Sequence, residues 1–237
     1  MTVRRPLVAL SAVLVAALAA CAPQPAPAPA PAPTLTFSAA SPAPNASATT
    51  PPRLRVVTVG DSLMSGFGLD LGQAWPVLLA GRAHLSLTNL ACSGMGFVVS
   101  GDCGTPYVGF APALAALQPD LVIIESSSND FGEDPDDIAA ETLTTVEEMQ
   151  EAAPNARLVG LSTIWNDEDD MPEEVQLTSD ALADALDLVD GTYIDVGQPL
   201  AGHPDWMQPD DVHPTARGQK AIEQTVMSRL QAAGVLP

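Results

Sequence analysis

The sequence predicts one α/β domain: a single doubly wound, flavodoxin-like sheet of about five parallel strands, with helices on both faces in three layers. Two observations point there. Short β-branched apolar runs alternate with longer stretches of helical period through residues 53–237, the pattern of strands joined by crossover helices. One run, Val122-Ile123-Ile124, is apolar without interruption, which suits a strand covered on both faces.

The strands read as Leu54–Val59, Leu85–Leu90, Asp120–Glu125, Arg157–Ser162 and Thr192–Val196, each rich in Val, Ile, Leu or Thr. Helical spacing predicts helices near 73–83, 136–152 and 173–189. A last helix runs over about 214–234, where Ile222, Val226, Leu230 and Ala233 share one face and Pro214 fits the first turn. No repeat period and no heptad pattern interrupts this order. Open sheets of this kind place their sites beyond the carboxyl ends of the strands, so chemistry is expected there.

The first 52 residues do not belong to that domain. Arg4 and Arg5 precede an apolar run from Leu7 to Ala20, the form of a secretory signal and too short for a comfortable membrane span. The ending Leu18-Ala19-Ala20-Cys21 resembles the bacterial lipobox, which implies cleavage after residue 20 and acylation of Cys21. Residues 22–52 hold ten Pro and ten Ala in 31 positions with no charge, a composition that cannot bury a core and reads as a tether. The expected organisation is a lipoprotein signal peptide over 1–20, a lipidated Cys and linker over 21–52, and one catalytic domain over 53–237. A chain so arranged is exported and anchored to the outer face of the cell membrane.

Without the two leader arginines the chain carries 7 Lys and Arg against 29 Asp and Glu, a formal charge of −22. Such a surface repels phosphate backbones, which excludes a nucleic-acid partner. With Cys21 assigned to lipid, Cys92 and Cys103 remain as an even pair in an oxidising compartment, and a disulfide is expected. Two buried thiols are the alternative.

Four short blocks carry the chemistry. Gly60-Asp61-Ser62-Leu63 follows the first strand, where a serine at a strand-to-helix turn exposes its hydroxyl beside backbone N–H groups. Taken alone this tetrapeptide is an ordinary turn. Asn89-Leu90-Ala91-Cys92-Ser93-Gly94 follows the second strand, and Ser127-Ser128-Asn129-Asp130 the third. Asp210-Asp211-Val212-His213-Pro214 stands near the C-terminus. In this order the four blocks resemble those of the GDSL/SGNH hydrolase family.

The resemblance implies a serine esterase in which Ser62 is the nucleophile, His213 the general base and Asp210 the acid that orients it. Ser62, Gly94 and Asn129 would form the oxyanion hole. Histidine titrates near neutrality, so it can take the serine proton and return it to the leaving alcohol. No cofactor and no metal is implied. No Gly-x-Ser-x-Gly elbow is present, which sets the chain apart from the other large α/β-hydrolase class. Ser127 departs from the family pattern, standing where the third block usually has Gly.

Other features carry less. Asp211 is an alternative orienting acid. Asn166–Glu174 is rich in carboxylates but lacks EF-hand spacing, so a solvated acidic loop is expected over a calcium site. Trp165 and Trp206 are candidates for the substrate pocket or for plain packing. Phe97, Tyr107 and Phe110 are placed in loops at the mouth, while His84 and His203 lack metal-ligand spacing and read as loop residues. The expected function is hydrolysis of small carboxylic esters, such as those of acetylated saccharides, by a monomer. A lipase or phospholipase, an acyltransferase on the same site, and a non-catalytic binding lipoprotein are the alternatives.

Overall fold

The structure, a computed structural model, describes residues 52–237. The signal at 1–20, Cys21 and all but the last residue of the 21–52 linker lie outside the described residues.

Five parallel strands form one sheet: β1 Arg55–Val59, β2 Ser86–Asn89, β3 Leu121–Glu125, β4 Arg157–Leu161 and β5 Thr192–Ile194, in the order β2-β1-β3-β4-β5. That is the flavodoxin-like order expected from the sequence. The chain leaves the middle of the sheet in opposite directions, so a crevice opens where β1 and β3 end side by side. In register, Val56 pairs with Leu87 on one side and Leu121 on the other.

Side chains alternate across the sheet as a period of two requires. On one face Val56, Leu121, Ile123 and Val159 pack with Trp75 and Leu79 of α2 (Trp75–Ala83) and with Ile222, Val226 and Leu230 of the last helix. On the other, Val57, Val122, Ile124 and Leu158 meet Leu114, Val146, Met149, Leu182 and Leu186. Those five residues belong to α3 (Ala111–Leu117), α4 (Pro135–Ala152) and α5 (Glu173–Leu188). All five residues of β3 are buried, as its unbroken apolar run demands.

Two helices were not apparent from the sequence, α1 (Ser62–Ser65) and α3. Both are shorter than the window over which helical period becomes visible. The last helix, α6, spans Ala216–Ala232, with Thr215 as its N-cap. Pro214 therefore does not sit in the first turn; it pairs with Met207 in an isolated antiparallel bridge that closes the preceding loop. Gln219 of α6 accepts from Trp75 N–H at 2.7 Å and donates to the Leu63 carbonyl at 2.8 Å, binding the C-terminal helix to the first βα turn.

Candidate active site

Ser62 opens α1 directly after β1. Asp61 is the N-cap, its Oδ1 accepting from Leu63 N–H at 2.8 Å, and the turn closes where Gly66 and Phe67 N–H both donate to the Ser62 carbonyl. Ser62 is nearly buried, at 6% exposure. Among the described residues its hydroxyl and its N–H have no hydrogen-bond partner, which leaves both for a ligand.

The segment after β2 brings Gly94 to the same end of the sheet. Gly94 is left-handed (φ 74°), a conformation that glycine adopts without strain. Its loop is held on both sides. Cys92 and Cys103 form a disulfide, Met95 pairs with Ser100, and the Asp130 carboxylate accepts the N–H groups of Phe97, Val98 and Val99 at 2.7, 3.1 and 3.1 Å. Gly96 is pressed on Asp130 so closely that a Cβ there would lie 2.3 Å from a carboxylate oxygen.

Asn129 follows β3 in a single 3₁₀ turn, Ser128–Asp130. Its amide donates to the Met95 carbonyl at 2.9 Å and, more loosely, to Asp61 Oδ2 at 3.4 Å. The same Asp61 oxygen accepts the Ser127 hydroxyl at 2.5 Å. Burial pushes the Asp61 carboxyl above its ordinary value, opposed by the Ser127 hydroxyl, by Leu63 N–H and by the nearby His213.

The fourth block is not at a strand end. It sits in the loop between β5 and α6, which reaches back across the sheet. Asp210 Oδ2 meets His213 Nδ1 at 2.8 Å, and its Oδ1 accepts His213 and Val212 N–H at 3.0 and 3.2 Å. These bonds, with the His213 N–H first, hold the Asp210 carboxyl down at about 2. Asp211 makes no such bond to His213; it is left-handed (φ 56°) and turns the chain between the two.

Two contacts bring this loop to the turn that follows Ser62. The His213 ring lies on Phe67, with centroids 4.4 Å apart. Gln208 donates from one amide to the Phe67 carbonyl at 2.8 Å and the Pro214 carbonyl at 3.0 Å. A cavity of about 40 Å³ is lined by neighbours of these residues in the chain, Leu63, Ser128, Asp211 and Val212, together with Ile164, Trp165 and Asn166. A hydroxyl without an acceptor, an imidazole tethered to a carboxylate through its far nitrogen, and donors around a small hollow can together carry out acyl transfer.

Several sequence expectations change. Phe97 and Tyr107 are not mouth residues: both are fully buried and meet edge to face at 5.0 Å, because the disulfide-clipped loop folds beneath the site. Phe110 packs partly against that same core. Trp206 is away from the cavity, stacked on His203 at 3.5 Å, while Trp165 lines it. His84 is the left-handed C-cap of α2. In the acidic loop, Glu168 accepts from Trp165 Nε1 at 3.2 Å, and no group of three or more His, Cys, Asp or Glu side chains placed to hold a metal is formed among the described residues. Asp61, Asp130, Gln208 and Gln219 had no signal of their own beyond the blocks they stand in or near.

Residues 58–221 match the model of the GDSL-like lipase/acylhydrolase family. The GDSL lipase Rv0518 of Mycobacterium tuberculosis is 27% identical over 188 residues, covering 72% of this chain and 79% of the relative. Two solved structures share the fold. The psychrotrophic esterase EstA from Pseudoalteromonas sp. is 20% identical with a TM-score of 0.63, covering 76% of this chain and 97% of that one. Est24, a carbohydrate acetylesterase from Sinorhizobium meliloti, is 17% identical with a TM-score of 0.60, covering 76% of this chain and all (100%) of that one. With more than half its length inside the family match and its four blocks gathered at one end of the sheet, the chain belongs to the GDSL-like lipase/acylhydrolase family, the serine hydrolases of ester bonds.

Proposed function

We propose that this hydrolase removes short acyl groups, acetyl above all, from small esters and acylated saccharides through an acyl-enzyme on Ser62. The carrying observation is a small hollow of about 40 Å³ lined by the chain neighbours of the proposed site residues, Leu63 after Ser62, Ser128 before Asn129 and Val212 before His213, which suits a short acyl group better than a long alkyl chain. A lipase on long acyl chains would need a long apolar groove there.

With Nδ1 of His213 held by Asp210, its other nitrogen is the one left to take the Ser62 proton as oxygen attacks the ester carbon. The oxyanion receives the N–H of Ser62, the N–H of Gly94 and the second hydrogen of the Asn129 amide. Loss of one such donor commonly costs about 2.7–4 kcal/mol of barrier. The proton then passes from His213 to the departing alcohol, and a water molecule, deprotonated by the same imidazole, frees Ser62. The likeness to Est24 supports a sugar acetate as the natural ester, as do the leader, Cys21 and the Pro/Ala tether, which suit an enzyme held at the outer face of the membrane within reach of wall polymers.

The test is turnover of p-nitrophenyl acetate together with labelling by a fluorophosphonate. Ser62→Ala is expected to lose both. A variant that cleaves the ester as fast as the parent chain removes Ser62 from the reaction.

A further inference from the structure

Asn129 has two amide hydrogens to place, and the structure shows two claimants for them. One goes to the Met95 carbonyl at 2.9 Å. The other faces Asp61 Oδ2 at 3.4 Å, near the outer limit of a hydrogen bond. That oxygen also accepts a much shorter bond from the Ser127 hydroxyl, at 2.5 Å, in the range of charge-assisted O–H···O bonds, which meets most of its demand for a donor. Ser127 Oγ in turn accepts the backbone N–H of Asn129 at 3.0 Å. Ser127 is thus wedged, fully buried, between the carboxylate under the nucleophile and the residue that offers the amide.

A buried carboxylate oxygen that loses its donor does not stay empty, because an unmet acceptor in a dry site is costly. A replacement within reach is the Asn129 amide, already 3.4 Å from that oxygen, which would have to close less than an ångström. An amide drawn to Asp61 is withdrawn from the oxyanion. We propose that Ser127 is a positioning residue: by occupying Asp61 and anchoring the Asn129 backbone, it keeps the second Asn129 hydrogen available to the substrate carbonyl oxygen. This rests on the reading of Asn129 as an oxyanion donor. Ser127 itself touches no reacting atom.

The test is a double-mutant cycle with p-nitrophenyl acetate. Ser127→Ala is expected to lower kcat about 10-fold with KM changed less than about twofold, since the oxyanion exists only beyond the ground state. In an Asn129→Ala background the same substitution is expected to change kcat by less than about twofold, because the group through which Ser127 acts is gone. Ser127→Gly, tolerated by the extended backbone at this position (φ −113°, ψ 143°), gives the same readout should the alanine variant fold poorly. Equal losses with and without Asn129, or a loss confined to KM, overturn the assignment of Ser127 alone. A parent chain that leaves p-nitrophenyl acetate intact and unlabelled at Ser62 overturns the esterase reading and this one with it.

Discussion

If the small hollow sets acyl length, enlarging it must change which ester is preferred, and by an amount that can be worked out. Trp165 is its largest lining residue, fixed by its backbone N–H on Gln198 Oε1 at 2.7 Å and its indole on Glu168 at 3.2 Å. On the proposed reading, the hollow of about 40 Å³ in the parent chain takes an acetyl group and leaves the two further methylenes of a butyryl group outside. Each methylene taken from water into an apolar site contributes about 0.8 kcal/mol. Trp165→Ala opens space for both, a gain of about 1.6 kcal/mol for butyrate over acetate, or about 15-fold in relative kcat/KM. The assay is kcat/KM on p-nitrophenyl acetate, butyrate and hexanoate for both proteins, scored as ratios so that loss of general activity cancels. A butyrate-to-acetate ratio that moves less than about twofold, or a parent chain that already favours hexanoate, refutes the link between this cavity and acyl selection.

Three other outcomes are expected. Removing the Cys92–Cys103 disulfide by the paired alanine substitutions, which opens a loop of sequence separation 11, should cost about 3 kcal/mol and about 6–12 °C in Tm; a calorimetric change under about 1 °C would show that the loop holds itself without it. Burial raises the Glu125 carboxyl well above its ordinary value, followed by the charge of Asp61, while Trp75 N–H opposes. The folded chain therefore retains a proton that the unfolded chain releases, and stability declines as pH rises from the ordinary carboxylate range through the raised folded value. Glu125→Gln should raise Tm at pH 8 more than at pH 5, and an equal change at both would remove Glu125 as the cause. Asp210 runs the other way: held at about 2, it contributes above the unfolded value and loses that contribution as pH falls through about 2, so carbon-detected NMR should find it ionised at pH 3. A titration midpoint near 4 would mean that its bonds to His213 are not kept in solution.

The sheet was legible because its signal is local. β-branched residues run consecutively through β1 and β3, β4 is a short apolar run around Val159, and Val122-Ile123-Ile124 announces a strand with no solvent face. The helices α1 and α3, of four and seven residues, are too short to show a face and are set by what they pack against. Three of the four site blocks could be placed because they follow strands. The fourth could be found but not placed, since nothing in Asp210–His213 states that its loop crosses back to the β1 turn. Phe97 and Tyr107 were misplaced for a related reason: aromatic residues in a loop look like mouth residues until the loop is seen to turn under the sheet end.

This difference separates two kinds of precision within one site. The Asp210–His213 pair spans three residues and takes its geometry from one loop, with carboxylate, imidazole and two backbone N–H groups bonded among themselves. The placing of His213 beside the turn that follows Ser62 has no such local source. It depends on Gln208, which grips the carbonyls of Phe67 and Pro214, and on Gln219, which grips the Leu63 carbonyl from α6 across a separation of 156 residues. Side-chain amides serve this purpose because one group can both donate and accept, joining two backbones without burying charge. A motif therefore reports which groups react, whereas the distance between them is set by uncharged residues outside the motif, which carry no pattern that a sequence alone can show.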